Sequence, residues 1–316
     1  MRILTDLSGL PDDLRGGVVA IGNFDGVHRG HQLLIGKATA TAAEKGCPAG
    51  VLTFEPHPRR FFKPDEPPFG LTPTHNKAHH IEALGVDYMA VLPFTAETAG
   101  MTAEEFIDDV LIAGLGASHI VIGYDFCFGK GRKGTPELLR TRGGFDVTVI
   151  DPAATHDGII YSSTRIRDAL KRGNPGQAMA LLGRPFEIEA RVEPGEQLGR
   201  TIGFPTANLS LNDYLRPAIG IYAVRCGVVD DETGETTWYD GAGYYGDRPT
   251  VDGKNEMFEA FLFDFNGDLY GKYLRVALIE YVREDKKFDS IEELRDQIVI
   301  DCQSARRILN TRAAGA

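Results

Sequence analysis

The stretch Ile21 to Leu33, IGNFDGVHRGHQL, decides how the chain is read, because an apolar run stops at a glycine and two histidines follow three residues apart. Val18, Val19, Ala20 and Ile21 read as a short buried strand. Gly22 breaks it at its carboxyl end, where open parallel sheets bind their ligands. From Gly30 or His31 onward, GHQLLIGKATATAAEKG reads as a helix, with Leu33, Leu34 and Lys37 to Ala43 giving a mostly apolar face. His28 and His31 therefore flank a helix amino terminus. Unpaired N–H groups and the helix dipole favour anions there, and two imidazoles beside them suit the phosphates of a nucleotide. Gly26 and Gly30 allow close approach of the backbone. A lone histidine in this place is more often a cap or solvent-exposed; Gly22, Asn23, Asp25 and the paired histidines together turn the reading towards a phosphate site.

Composition sets the outer bounds. A chain of 316 residues suits two domains, each with its own core. With 42% hydrophobic and 25% charged residues it reads as soluble and globular, and no apolar run approaches the roughly 20 residues of a membrane span. The opening MRILTDLSGLPDDLRGG lacks the apolar centre of a signal peptide. Cys47, Cys127, Cys226 and Cys302 lie far apart with no CxxC pair, which points away from disulfides and structural zinc and towards a reducing cytoplasm. A net charge of −11 argues against a nucleic-acid surface and for small-molecule chemistry. No feature sets an oligomeric state.

After the first helix, Ala49 to Phe54 reads as a second buried strand, stopped by Glu55-Pro56-His57-Pro58. His57 then stands on a stiff loop at the ligand end of the sheet, facing either a ligand or solvent. Lys63 to Pro73 is Pro-rich and irregular, Thr74 to Leu84 a helix, and Val86 to Leu92 a strand. Thr102-Ala103-Glu104-Glu105 is a capping box opening a helix that carries Phe106, Val110 and Leu111; His119 to Gly123 is a fourth strand and Phe145 to Ile150 another. This alternation predicts a parallel α/β sheet in a right-handed, Rossmann-like winding. No GxGxxG follows the first strand, which argues against a dinucleotide dehydrogenase.

Gly123 to Thr135, GYDFCFGKGRKGT, trades packing residues for glycines, aromatics and cations. Phe126 and Phe128 either meet a planar ligand or fill the core beneath the loop, and Lys130, Arg132 and Lys133 are either solvated or catalytic. YSSTRIR, Tyr161 to Arg167, opens a helix capped by Ser162 or Ser163, with Arg165 and Arg167 in the first turns, where cations oppose the dipole and an anion would compensate. A short helix from Pro175 to Leu182 ends at Gly183-Arg184-Pro185, the expected boundary between domains 1–183 and 184–316.

Beyond Phe186 the pattern becomes antiparallel. FEIEARV, GIYAVRCGVV, TTWYDGAGYY, EAFLFDF and LRVALIEYV are strand-like runs between turns, predicting a small barrel of five or six strands. Ser290 caps a final helix whose Ile291, Leu294, Ile298 and Cys302 should pack across it. GEQLGRTIGFPTAN, Gly195 to Asn208, offers a phosphate cradle followed by a hydroxyl and an amide oxygen, the donors that Mg²⁺ with a nucleotide takes.

These motifs, in this order, resemble the prokaryotic bifunctional riboflavin kinase/FAD synthetase family over about residues 17 to 308. HRGH resembles the HxGH signature of nucleotidylyltransferases. FEPHP, GYDFCFG and YSSTRIR are similar to the family's further amino-terminal motifs, with Tyr161 where Ile is usual. GEQLGRTIGFPTAN resembles its kinase signature. The resemblance implies an adenylyltransferase domain in which Gly22, Asn23, Asp25, His28, His31, Ser163, Thr164 and Arg167 meet ATP, the two histidines act in catalysis, and His57, Asp125, Phe126 and Phe128 meet the flavin. It further implies a kinase domain in which Gly199, Arg200, Gly203, Thr206 and Asn208 bind ATP, the last two as Mg²⁺ ligands, with Glu259 as base and Glu256 as the alternative. Riboflavin, FMN and ATP are the implied substrates. Gly243-Tyr244-Tyr245-Gly246 departs from the family's usual Asn-Ile, which bears on the flavin contacts.

Overall fold

The computed structural model describes residues 1–7, 9–194, 199, 203–250 and 253–314, without the side chains of 247–250, 253–255 and 313–314. Its contacts form two compact units, Met1–Pro67 with Thr72–Ser163, and Pro68–Leu71 with Thr164–Ala316.

The first unit is built on a parallel sheet of β1 (Arg2–Leu4), β2 (Val18–Ile21), β3 (Ala49–Glu55), β4 (Tyr88–Pro93), β5 (His119–Gly123) and β6 (Asp146–Ile150), in the order β1-β4-β3-β2-β5-β6. All four residues of β2 are buried, as a strand covered on both faces requires. Helices α1 (Arg29–Lys45) and α3 (Thr74–Glu82) cover one face with Leu34, Ile35, Ala38, Ala78 and Ile81. The other face takes Phe106, Ile107, Val110 and Leu111, together with Leu139 of α6 (Pro136–Arg142). The chain winds outward from β2 to β4, then crosses back to β5, so the winding reverses between β2 and β5 and opens a crevice at their carboxyl ends. Gly22 and the Gly123 loop stand at that crevice.

Three local features depart from the expected pattern. β1 is too short and too exposed to announce itself, yet it pairs with β4 from Arg2↔Tyr88 to Leu4↔Ala90. Pro58, expected only to stop a strand, also takes the first position of α2 (Pro58–Phe62), where its missing N–H costs nothing. The Thr102 capping box is formed, with the Thr102 hydroxyl accepting from Glu105 N at 3.1 Å and the Glu105 carboxylate from Thr102 N at 2.7 Å. The helix it opens, α5 (Ala103–Glu105), follows the short α4 (Ala96–Gly100) and widens at once into a π-helical stretch, Phe106–Gly114.

The second unit is an antiparallel sheet of β7 (Phe186–Arg191), β8 (Ala207–Ser210), β9 (Gly220–Val229), β10 (Thr236–Thr250), β11 (Gly253–Leu262) and β12 (Tyr273–Arg283), in the order β7-β12-β9-β10-β11-β8. Its edges approach through Glu193 N, which donates to Asn208 O at 2.9 Å just past β7, so the sheet curls into a barrel of six strands. Helix α9 (Ile291–Ala314) packs on it through Cys302, Ala305, Ile308 and Leu309 against Ala223, Phe263, Ala277 and Ile279. The expected stripe is thus displaced towards the carboxyl end, and Ile291 stands exposed.

Helices α7 (Ser163–Lys171) and α8 (Pro175–Leu182) precede the Gly183 connection and pack within the second unit, α8 on β7 and β12. Ala178, Leu181 and Leu182 are buried there, and Leu170 O accepts from Ala218 N at 3.0 Å. A fragment starting at Thr164 is therefore expected to melt well above one starting at Arg184, which exposes the surface those side chains cover. Equal melting temperatures for the two fragments would show that the helices add no stability.

Candidate active sites

In the first unit, the crevice end of β2 leads into a tight loop that delivers His28 to the amino terminus of α1. Phe24 and Val27 both take left-handed φ values, 48° and 41°, and a β-branched residue at such an angle is held there only by its surroundings. Those surroundings are specific. The buried Asp25 carboxylate accepts from Thr72 N at 3.1 Å, Gly26 N donates to the Thr72 hydroxyl at 2.8 Å, Thr53 Oγ1 donates to Asn23 O at 3.2 Å, and Ser163 Oγ donates to Asp25 O at 2.8 Å. Asp25 thus spends hydrogen-bonding capacity on the loop itself, while Asn23 is exposed and Gly22 half-buried.

His28 is the N-cap of α1: its Nδ1 accepts from His31 N at 3.3 Å. An accepting Nδ1 puts the proton of the neutral ring on Nε2, so the cap itself makes Nε2 a donor. The His31 ring stacks on that of His28, with centroids 3.6 Å apart and planes 18° from parallel, and meets the edge of Phe24 at 5.3 Å. Gly30 permits this stacking, because a Cβ there would lie 3.2 Å from the His28 ring and 3.3 Å from Tyr161 Cβ. A helix amino terminus flanked by two stacked imidazoles suits an anion of several charges.

The remaining expected residues of this unit fall unevenly. His57 caps α2, its Nδ1 accepting from Arg59 N at 3.1 Å, and is half-buried. Phe128 is part of the core, tilted against Phe106 at 5.3 Å; Phe126 stacks on it at 5.6 Å and is half-buried. Asp125, Lys130, Arg132 and Lys133 are exposed. Thr164 and Arg167 belong to the second unit, where the Arg167 guanidinium lies over the Phe69 ring and its Nε donates to Phe69 O at 2.8 Å. Sequence reasoning passed over Thr53 and Thr72, which bond the loop, and Lys77, whose Nζ donates to Thr53 Oγ1 at 3.4 Å; none carries a motif of its own.

In the second unit β8 and β11 place Asn208 directly opposite Glu259, and β10 places Tyr244 on the other side of Glu259. Residues opposed across antiparallel strands share a face. Asn208 and Glu259 are both buried, and Thr206 Oγ1 donates to Glu259 Oε2 at 3.2 Å, so a hydroxyl, an amide and a carboxylate converge. The turn before them depends on Gly199: Phe204 N donates to Gly199 O at 2.7 Å, and a Cβ on Gly199 would stand 2.3 Å from Phe204 O. Gly203 follows at φ +91°. Arg200 lies outside the described residues. Glu256, three residues before Glu259, falls on the opposite face of β11 and is ion-paired to Arg216, which also donates to Asn212 O and Tyr214 O.

The family model for FAD synthetase matches residues 10–165, and that for riboflavin kinase matches residues 182–309. The bifunctional riboflavin kinase/FMN adenylyltransferase of Escherichia coli K12 is 38% identical over 309 residues, covering 97% of this chain and 96% of its own. That of Bacillus subtilis strain 168 is 40% identical over 299 residues, covering 92% of each. A crystal structure described as a macrolide-efflux protein from Streptococcus pneumoniae superposes with a TM-score of 0.84 at 33% identity, covering 96% of this chain and 98% of that one. The efflux description belongs to that protein; its likeness here is one of fold. Among the described residues no helix is long and apolar enough to cross a membrane.

Proposed function

The chain belongs to the bifunctional riboflavin kinase/FMN adenylyltransferase family, and from that premise we propose how two domains, residues 1–183 and 184–316, divide the chemistry. Residues 184–316 phosphorylate riboflavin with ATP, giving FMN and ADP. Residues 1–183 join FMN to the AMP part of a second ATP, giving FAD and pyrophosphate. The observations that carry this reading are the convergence of Thr206, Asn208 and Glu259 within one unit and, separately, the stacked, capping histidine pair within the other.

For the kinase step the ribityl 5′-hydroxyl of riboflavin attacks the γ-phosphorus of ATP, and its proton has to leave as the bond forms. Glu259 is the base: buried and oriented by the Thr206 hydroxyl, it takes that proton. Thr206 and Asn208 present hard oxygens of the kind Mg²⁺ accepts, and they would hold the ion beside Gly199, Arg200 and Gly203, which take the ATP phosphates. When bound, the ion neutralises charge on the transferring phosphoryl group.

The adenylyl step needs no protein nucleophile. A phosphate oxygen of FMN attacks the α-phosphorus, pyrophosphate leaves, and the protein supplies position and charge stabilisation. The amino terminus of α1 and the His28 and His31 rings do this for the phosphates, supported by Gly22, Asn23 and Asp25. Ser163, Thr164 and Arg167 serve ATP and the departing pyrophosphate. Phe126, with Phe128 behind it, Asp125 and His57 receive the flavin. Mg²⁺ accompanies ATP in this step too. The cytoplasm, where ATP and flavins meet, is the proposed setting, with small molecules rather than nucleic acid or membrane as partners.

Incubating the protein with riboflavin, ATP and Mg²⁺ and separating the flavins tests both halves at once. FAD is the expected product; accumulation of FMN alone would remove the adenylyltransferase assignment, and unchanged riboflavin the kinase assignment. Within the adenylyltransferase, Gly30→Val should lower FMN-to-FAD conversion by about 100-fold, because its Cβ would stand only 3.2 Å from the His28 ring and its two methyls add further bulk, displacing the ring from its position. Kinase turnover in the same preparation serves as the control. Wild-type FAD formation by this variant would mean the ring stacking is incidental.

A further inference from the structure

Lys77 lies on α3 with 3% of its surface exposed, between Asn76 and Ala78, which are also buried. Its neighbours on that helix face, Ala78 and Ile81, join the apolar core under α1 and β2. A cation in such a place costs stability that an apolar side chain would not, and burial pulls the ammonium below the usual lysine range. The compensation comes from two carboxylates, Asp25 and Glu55, which favour its charged form. The ammonium also reaches Thr53 Oγ1 at 3.4 Å, the hydroxyl that donates to Asn23 O.

Lys77 thus reaches the strained loop through Thr53, whose hydroxyl bonds Asn23 O, while the Asp25 carboxylate favours its charged form. Asp25 is itself buried and holds Thr72 N, and Thr72 holds Gly26 N. Without the ammonium the Thr53 hydroxyl that fixes Asn23 O loses its donor, and the loop that positions His28 would move with it.

We propose that Lys77 is a positioning residue for adenylyl transfer: through its contact with Thr53, whose hydroxyl holds Asn23 O, it keeps the Gly22–His28 loop in the path that presents the histidine pair to the nucleotide phosphates. The inference rests on the adenylyltransferase reading of the first unit. It assigns a role to a side chain outside every motif of the chain.

The test compares wild type, Lys77→Met, Lys77→Arg and His31→Ala in the full-length protein, with FMN-to-FAD kinetics at varied ATP and varied FMN, thermal melting, and riboflavin phosphorylation in the same samples. FAD formation by wild type and its loss in His31→Ala test the underlying reading by themselves. Lys77→Met should lower kcat/KM for ATP by about 100-fold while the KM for FMN stays within about twofold, since a displaced loop mispositions the phosphates rather than the flavin. Lys77→Arg, which restores a permanent cation, should recover at least about tenfold of that loss. Unaltered ATP kinetics in Lys77→Met would overturn the proposal. So would a fall in kcat matching the folded fraction with the KM for ATP unchanged. If Lys77→Met does not fold, Lys77→Arg decides: a folded Lys77→Arg with kcat/KM for ATP above about a tenth of wild type supports the role, and one as inactive as His31→Ala overturns it.

Discussion

Glu259→Gln is expected to slow FMN formation from riboflavin by about 100- to 10,000-fold, the usual worth of a general base, while supplied FMN is still converted to FAD. Glutamine matches the shape of glutamate and still accepts from Thr206 Oγ1, so the 3.2 Å contact has a successor. The register that sets position 259 against Asn208 and Tyr244 belongs to the backbone and survives the change. Only basicity is removed. Riboflavin and ATP should therefore bind with KM values near wild type, and the loss should fall on kcat. Glu256→Gln is the paired measurement. It breaks the ion pair with Arg216 on the other face of β11, an effect on local stability rather than on proton transfer. A large kinase loss in Glu256→Gln, with Glu259→Gln within about threefold of wild type, would move the base by three residues and leave the assignment of the units standing.

The pair Glu256 and Glu259 shows where sequence suffices and where it stops. Alternation along FEAFLFDF identifies a strand, and two carboxylates three apart in a strand lie on opposite faces, but which face meets the PTAN loop depends on pairing with β8, a contact across some fifty residues. The parallel sheet was legible because its strands are short, mostly apolar and several are punctuated by glycine or proline at the ligand end. β1 was not, since three residues, two of them exposed, at a sheet edge carry no periodicity. Asp25 looks in the sequence like a group for a ligand, yet the fold turns its carboxylate inward to Thr72, a residue inside a Pro-rich stretch that reads as featureless. Lys77 is the extreme case. On a helical projection it is one more cation, and only burial by non-local elements makes it informative. The misplaced stripe of α9 has the same origin: Ile291 has the right spacing but lies beyond the surface the barrel offers, so packing begins further along the helix, around Cys302.

His31→Ala is expected to reduce FMN-to-FAD conversion by about 100- to 1,000-fold, the cost typical of removing one preorganised donor to developing charge, with FMN accumulating from riboflavin at the normal rate. The α1 cap survives this change, because the donor to His28 Nδ1 is the backbone N–H of residue 31 and not its ring. What disappears is the ring stacked at 3.6 Å on His28, and with it both a donor and the support that fixes the orientation of its partner. The partner needs a different substitution. His28→Ala would remove the cap together with the Nε2 donor, mixing helix stability with chemistry, whereas His28→Asn keeps a side-chain acceptor favoured at N-caps and removes only the imidazole. If the rings act on the phosphates, His28→Asn and His31→Ala should lose FAD formation to similar degrees, with melting temperatures near wild type. If His28 serves only as a cap, His28→Asn should be nearly as active as wild type. Equal loss of FMN and FAD in either variant would contradict the separation of the two steps, since both histidines lie in the first unit and the kinase cluster in the second.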